Sequence, residues 1–131
     1  MTQTPSYTAE QTAVLIWAHG SRDPIWRENI EAMALRMREA SPGTPVACAY
    51  LELCEPDLIQ AAKPLFEQGI RSFRVLPLFF GIGKHIRADL PERIQGLKDA
   101  LDGITVELLP AAGDDPGVQL AVVRLALQST A

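Results

Sequence analysis

An unbroken run of apolar residues near the start of the chain ends abruptly in polar ones. Residues 14–18 (VLIWA) are apolar, and His19 and Gly20 follow directly. A short run rich in β-branched and aromatic residues is typical of a strand buried on both faces of a parallel sheet. Open α/β sheets bind ligands at the carboxyl edge of their strands. His19 is therefore predicted to lie at a ligand-binding edge.

Helical periodicity follows this strand and then alternates with further apolar runs. Strands are predicted at residues 45–53, 71–79 and 104–109. Between and after them, apolar residues recur every three or four positions, as on the buried side of a helix. Asp23-Pro24 is expected to open the first helix, Pro56 the second and Asp115-Pro116 the last.

Three details of these helices are expected to depart from a regular pattern. Pro64 lies inside the second apolar stripe, so a kink or two short helices is expected there, and Gly69 is placed to end that helix. Pro91 makes the start of the third helix ambiguous: it begins near Asp89, or earlier with a bend. The last helix is predicted to bury three residues, Leu120, Val123 and Leu127.

Four β-α pairs in succession predict the α/β class, with a parallel sheet and helices on both faces. For so few strands, the order 2-1-3-4 of a flavodoxin-like half is expected, with right-handed crossovers. Residues 13–131 are predicted to form a single domain, and residues 1–12 a flexible leader. In this strand order the first strand lies between the second and third, which makes His19, Glu52 and His85 neighbours.

Composition excludes several classes of protein. The net charge of −4, without a basic stripe, argues against nucleic-acid binding. No apolar run approaches the roughly 20 residues that cross a membrane. The sequence also has no phosphate-binding loop motif that would indicate a nucleotide ligand. No secretory signal is visible, so a cytoplasmic protein with reduced Cys48 and Cys54 is expected.

The chain has only two histidines, and each follows a predicted buried strand with a glycine close by. Imidazole and carboxylate groups together suit a divalent first-row metal ion, and three protein ligands leave positions open for a reaction. His19, His85 and Glu52 are the predicted ligands, with Glu55 as the alternative carboxylate. In the competing interpretation, both histidines are packed or surface residues and the domain merely binds a small molecule.

Three cations lie beside the histidines in the sequence: Arg22, Lys84 and Arg87. In an acidic protein they indicate an anionic substrate held by charge-assisted contacts, unless they are ordinary surface charges. Ser21 has no G-x-S-x-G elbow around it, so a turn or capping hydroxyl is favoured over a nucleophile.

Four stretches together resemble a known family: AHGSRDP, YLELCEPDL, VLPLFFGIGKHIRADLP and LLPAAGDDP. The pattern is similar to that of the short-form sirohydrochlorin chelatases of the CbiX type, which resemble half of a two-lobed class II chelatase and pair as homodimers. Lys84 departs from this pattern, since relatives usually carry a small, aromatic or apolar residue there.

The resemblance implies an ATP-independent lyase that inserts Co²⁺ into sirohydrochlorin for cobalamin biosynthesis. His19 and His85 are then the metal-binding and catalytic residues, and Glu52 is the acidic ligand. Ser21, Arg22, Lys84 and Arg87 would contact the anionic tetrapyrrole. Insertion of Fe²⁺ or Ni²⁺ stays open, because the ligands do not select one metal. A non-catalytic carrier of metal or tetrapyrrole also stays open.

Overall fold

Strands and helices alternate throughout residues 7–128, the part of the chain that the computed structural model describes. The elements are β1 (Thr12–Ala18), α1 (Pro24–Ala40), β2 (Val46–Tyr50), α2 (Leu58–Glu67), β3 (Ser72–Pro77), α3 (Lys84–Ala100), β4 (Thr105–Leu108) and α4 (Pro116–Leu127), with a 3₁₀ turn at Ala112–Asp114 before α4. The strands form one parallel sheet in the order β2-β1-β3-β4. The predicted α/β class and strand order are thus confirmed.

β1 is buried on both faces, as its apolar run predicts. It pairs with β2 on one side and β3 on the other. Leu15 and Trp17 pack into the core beneath α2 and α3, whereas Ile16 and Ala18 pack beneath α1. Alternate residues of one strand therefore belong to two cores on opposite faces of the sheet.

The sequence predicted the end of α2 correctly but placed its start too early. Asp57 is its N-cap, because the Asp57 carboxylate accepts the Gln60 N–H while the Gln60 side chain accepts the Asp57 N–H. The predicted start at Pro56 is therefore two residues early. Gly69 ends the helix with a φ of +113°, as expected of a left-handed cap.

The two internal prolines do not divide their helices. Pro64 lies within α2 and Pro91 within α3, each an uninterrupted helix. Pro64 is exposed and so is Gln60, whose carbonyl loses its helical donor, so water can hydrate that carbonyl. Of the two expectations for α2, the division into two short helices is wrong, because Leu58–Glu67 is one helix. The earlier of the two predicted starts for α3 is correct, because α3 begins at Lys84.

Three strands are shorter at their carboxyl ends than predicted. β2 ends at Tyr50 rather than at residue 53, and the chain then turns, with Leu53 at a φ of +69°. β3 ends at Pro77, which lacks a ladder donor, as expected for a proline at the end of a strand. β4 is shorter at both ends than its predicted span of 104–109.

The prediction of a flexible leader over residues 1–12 does not hold for its second half. Thr12 already belongs to β1, and the Tyr7 N–H donates to the Gln68 carbonyl at 2.8 Å. Tyr7 also packs against the core beneath α2 and α3. The part of the prediction that concerns residues 1–6 lies outside the described residues.

α4 is not buried, which corrects the prediction for this helix. Leu120, Val123 and Leu127 are 48%, 50% and 80% exposed, and α4 has no buried residue. Its main contact is with the 3₁₀ turn that precedes it. Although α4 is apolar, no helix within residues 7–128 has the length and apolar character needed to cross a membrane.

Tyr50, the last residue of β2, is 2% exposed and packs against Trp26 with ring centroids 6.2 Å apart. Burial raises the pKa of the Tyr50 phenol to about 12; the neighbouring Cys48 and Glu31 add to this and Arg27 opposes it. An acidic group whose pKa is raised by folding ionises more easily in the unfolded chain. The folded state therefore loses stability as the pH rises above the unfolded value of about 10.

We expect Tyr50→Phe to remove this alkaline loss of stability. Between pH 9.5 and 11.5, the free energy of unfolding in urea should fall more steeply for the parent protein than for Tyr50→Phe. Tyr7 is the only other tyrosine, so the Tyr7→Phe variant reports Tyr50 alone through its tyrosinate absorbance. Ionisation of Tyr50 in that variant near pH 10, with the protein still folded, would contradict the prediction.

Candidate functional site

His19 lies at the carboxyl edge of the sheet, one residue beyond β1. Its carbonyl accepts the Glu52 N–H at 2.9 Å, which continues the β1–β2 ladder past the end of both strands. Its half-buried ring packs against the Phe79 ring, with centroids 4.4 Å apart. Because Phe79 is itself 1% exposed and fixed in the core, it limits the orientations that the imidazole can take.

Gly20 allows the chain segment after β2 to approach His19. It has a φ of +107°, which side-chain-bearing residues rarely adopt, and a Cβ built there would overlap the Glu52 carbonyl. The Glu52 backbone therefore lies directly against the His19-Gly20 turn, and its side chain is exposed. Glu55 instead lines a small pocket beside β2 with Arg27 and Arg38. The geometry thus favours Glu52 over Glu55 as the carboxylate beside His19.

His85 is the second residue of α3 and is exposed. α3 follows β3, the neighbour of β1, so the two histidines follow adjacent strands as predicted. Within residues 7–128, however, no three side chains of His, Cys, Asp or Glu lie close enough together to hold a metal ion. The structure brings the Glu52 backbone to His19 but does not gather His19, Glu52 and His85 into one ligand set.

The three predicted cations all face solvent at this end of the sheet. Arg22 precedes α1, and Lys84 and Arg87 lie in the first turn of α3. The ion pairs formed among residues 7–128 are Arg74 with Glu107 and Arg93 with Asp89, so none of the three cations is neutralised by a carboxylate there. They remain available to an anionic ligand.

Ser21 takes the local role that its sequence context favours. Its hydroxyl accepts the Asp23 N–H at 3.0 Å, and the Asp23 carboxylate in turn accepts the Ile25 N–H as the N-cap of α1. This chain of hydrogen bonds fixes the turn between His19 and α1. Nothing in it activates the hydroxyl as a nucleophile.

Two features of this region were missed in the sequence. One is the packing of Phe79 on His19; the available signal was the Phe79-Phe80 pair at the end of an apolar run, where alternation turns one ring inward. The other is a groove of about 880 Å³ beside α1. This α1 groove is lined by Ile30, Met33 and Met37 of α1, Leu76 and Leu78 in and after β3, and Leu109 after β4.

These features define a parallel α/β protein with a cluster of polar residues at the carboxyl edge of its sheet, the edge where open α/β sheets bind ligands. A model of the CbiX family matches residues 13–129. The sirohydrochlorin cobaltochelatase of Methanopyrus kandleri is 34% identical over 90 residues, which cover 69% of this chain and 62% of the relative. The chain belongs to the CbiX family.

Two solved structures are similar in both fold and sequence. One is a putative cobalamin biosynthesis CbiX protein from Marinobacter aquaeolei, with a TM-score of 0.78, 34% identity and coverage of 88% of this chain and 93% of that one. The other is the sirohydrochlorin chelatase SirB from Bacillus subtilis in complex with cobalt, with a TM-score of 0.68, 28% identity and coverage of 87% and 49%. The chain spans between 59% and 65% of the length of the first three curated relatives that it matches.

We expect Gly20→Ala to destabilise the protein by at least about 1 kcal/mol, because the new Cβ meets a backbone carbonyl at a positive φ. Urea unfolding measures the change. Gly81→Ala is the matched control, since a Cβ there would have no neighbour within 4 Å. Equal stabilities of the two variants would show that the close approach of Glu52 to Gly20 is not maintained in solution.

Proposed function

We propose that this protein is a sirohydrochlorin chelatase that inserts Co²⁺ into the macrocycle in cobalamin biosynthesis. The observation that carries the proposal is the position of His19 and His85 after the adjacent strands β1 and β3 in a chain of the CbiX family. Three cations at the same edge that form no ion pair within residues 7–128 suit a substrate with many carboxylates. The reaction needs no nucleotide in principle.

Metal insertion makes two demands that histidine side chains can meet. The ring must receive a divalent metal ion on one face, and two pyrrole nitrogens must each lose a proton. Neutral imidazoles are good ligands for first-row divalent metals and good proton acceptors near neutral pH. We assign His19 and His85 both roles: they hold the metal substrate first, then take up the two protons as the metal passes to the ring nitrogens.

Glu52 is the proposed acidic ligand beside His19. Its backbone is held against the His19-Gly20 turn, and its exposed carboxylate can reach toward the same edge. A carboxylate near the metal adds negative charge, so the site attracts a divalent cation more strongly than a site made of neutral ligands would. Glu55 is a poorer choice because it faces a different pocket.

The basic rim, defined as Arg22, Lys84 and Arg87, is proposed to hold the carboxylates of the macrocycle, with Ser21 beside it. Charge-assisted contacts are stronger than neutral ones and orient the ring at the edge of the sheet. Lys84 has a second effect, because a cation beside a metal-binding histidine repels the incoming metal ion. The substrate contact should dominate, since the exposed side chain leaves that repulsion screened by solvent.

We further propose that the functional unit is a homodimer in the cytoplasm. One chain offers a single wall to a flat macrocycle, which needs two walls to bury most of its surface. The chain also matches 49% of the length of the longer SirB chain, as one half of a two-lobed enzyme would. Cys48 and Cys54 are free thiols, which suits a reducing compartment.

We expect His19→Ala and His85→Ala each to lower the rate of metal insertion by at least about 100-fold, because each removes a ligand and a proton acceptor. Both side chains lie at the edge of the sheet, so the folded structure should persist by circular dichroism. The measurement is the visible absorbance of sirohydrochlorin with Co²⁺, Fe²⁺ or Ni²⁺ in turn. Near-parent rates in either variant would remove that histidine from the mechanism.

The same assay separates the alternatives. Glu52→Gln should lose activity while the matched Glu55→Gln should keep it; the reverse would assign the acidic role to Glu55.

A carrier would bind one equivalent of metal or tetrapyrrole without releasing metallated product, so product formed in excess of protein identifies an enzyme. Faster insertion of Fe²⁺ or Ni²⁺ than of Co²⁺ would support the proposed chelatase activity but would change the metal proposed as its substrate.

We expect Lys84→Ala to raise the KM for sirohydrochlorin by roughly 10- to 150-fold, which corresponds to the loss of a charge-assisted contact of about 1.5–3 kcal/mol. The increase should shrink at high salt, which screens the contact. Lys98→Ala, in the last turn of the same helix, is the control and should leave KM unchanged. An equal KM for both variants would show that Lys84 does not contact the substrate.

A further inference from the structure

We propose that the pocket between α1 and the free edge of β2 binds a small zwitterion with the geometry of an α-amino acid. This β2-edge pocket has a volume of about 360 Å³, near the lower limit of about 300 Å³ for small-molecule sites. None of the residues proposed above for metal insertion lines it, so this proposal does not depend on that function. The lining residues that matter here are Arg27, Glu31 and Arg38 of α1, Cys48 and Tyr50 of β2, and Glu55.

The floor of the pocket is the free edge of β2. Because β2 is an outer strand, every second residue turns its peptide groups away from β1. Two of these outward groups are occupied: the Val46 carbonyl accepts the Arg38 guanidinium at 2.6 Å, and the Tyr50 N–H donates to the Pro56 carbonyl at 2.8 Å. Cys48 lies between them in the same alternation. Its N–H and carbonyl therefore face outward side by side and can bond both groups of a single ligand residue.

Two hydrogen-bond donors in the pocket wall have no partner in the described part of the chain. They are the hydroxyl of Tyr50, which is 2% exposed, and the Nε–H of Arg27. Cys48 and Glu31, which raise the pKa of the Tyr50 phenol in addition to its burial, both line this pocket, so the hydroxyl lies beside it. The Cys48 thiol is a weak acceptor and is directed at the Ile30 carbonyl, 3.8 Å away. A buried donor without an acceptor is costly, so this wall suits a ligand that supplies one.

Both donors lie just beneath the surface of the pocket, and the Arg27 side chain can bring them to a ligand. Arg27 as a whole is half-buried, so part of it borders the solvent while its Nε is covered. Its stem has several rotatable bonds, which allow the guanidinium to turn and share one ligand oxygen with the Tyr50 hydroxyl. A carboxylate is the acceptor that suits these donors, because a guanidinium binds it through strong, charge-assisted hydrogen bonds.

The charges around the pocket indicate that this carboxylate belongs to a zwitterion. Arg27 and Arg38 are matched by Glu31 and Glu55, and within residues 7–128 none of the four forms an ion pair. A ligand with several negative charges would meet two carboxylates, whereas one carboxylate and one ammonium use both signs. In an α-amino acid the two groups share one carbon, so the carboxylate can accept the Cys48 N–H while the ammonium donates to the Cys48 carbonyl.

Titration of the whole protein with glycine tests the proposal, because glycine carries both charged groups and no side chain. We expect the NMR signals of the Cys48 amide and the Arg27 Nε–H to shift together along one saturating curve. For so small a molecule the expected Kd is about 1 mM. Acetate, methylammonium and inorganic phosphate, each at the same ionic strength, are the matched probes. Each should bind at least about 10-fold more weakly than glycine, since each lacks part of the paired contacts.

Three substitutions separate this pocket from unspecific binding. Tyr50→Phe and Arg27→Gln should each raise the Kd for glycine by at least about 10-fold, because each removes a hydrogen bond to a charged group. Arg36→Gln is the matched control, since Arg36 is exposed on α1 and does not line the pocket; it should leave the Kd unchanged. Without ligand at neutral pH, Tyr50→Phe should not lower the urea midpoint of unfolding, because the hydroxyl has no partner within residues 7–128.

Several results would overturn the proposal. Acetate or phosphate that binds as tightly as glycine would assign the pocket to an oxyanion alone. No saturable shift with any probe would show that water serves the two donors. Equal glycine affinities in all three variants would place the binding outside the pocket, and a lower urea midpoint for Tyr50→Phe would show that its hydroxyl has a structural partner. Metal insertion is assayed separately, so the proposed function can stand while this proposal fails.

Discussion

The burial of β1 on both faces is the constraint on which the rest of this structure depends. Leu15, Ile16 and Trp17 are at most 1% exposed, and each fully buried side chain of this kind contributes on the order of 1.5–3 kcal/mol. A shift of one residue along the sheet would exchange the side chains of the two cores. The register of β1 is therefore fixed, and with it the place where the apolar run ends and His19 emerges at the edge.

The chemistry of the proposed site is built on this edge with groups that contribute little to the core. His85, Glu52 and the cations of the basic rim are exposed, so their identities are free to serve a ligand rather than the fold. His19 is the exception, because it rests against buried Phe79. Gly20 then brings the Glu52 backbone to the same turn. The rigid strands thus position the His19 side chain, and exposed loops and helix ends supply the other side chains of the proposed site.

The two faces of the sheet are covered unequally. α2 and α3 form a continuous core with the strands on one face. The core under α1 is smaller, and the sheet beside it stays open as the α1 groove. Within residues 7–128, His19, Glu52 and His85 do not lie together as one ligand set, and the sheet face beside α1 is open.

The sequence by itself determined the alternation of strands and helices, the strand order and the position of His19, because these follow from local periodicity, capping residues and the handedness of crossovers. It did not determine where β2 ends, since residues 51–53 are compatible with a strand, whereas in the structure the chain turns there and the Glu52 backbone lies against Gly20. Nor did it determine that α2 continues through Pro64, because that depends on which helix face is exposed. The apolar stripe of α4 was visible in the sequence, but its predicted burial is wrong, because α4 has no buried residue among the described residues. Periodicity shows which side of a helix is apolar, whereas only the tertiary structure shows whether a neighbouring element covers that side.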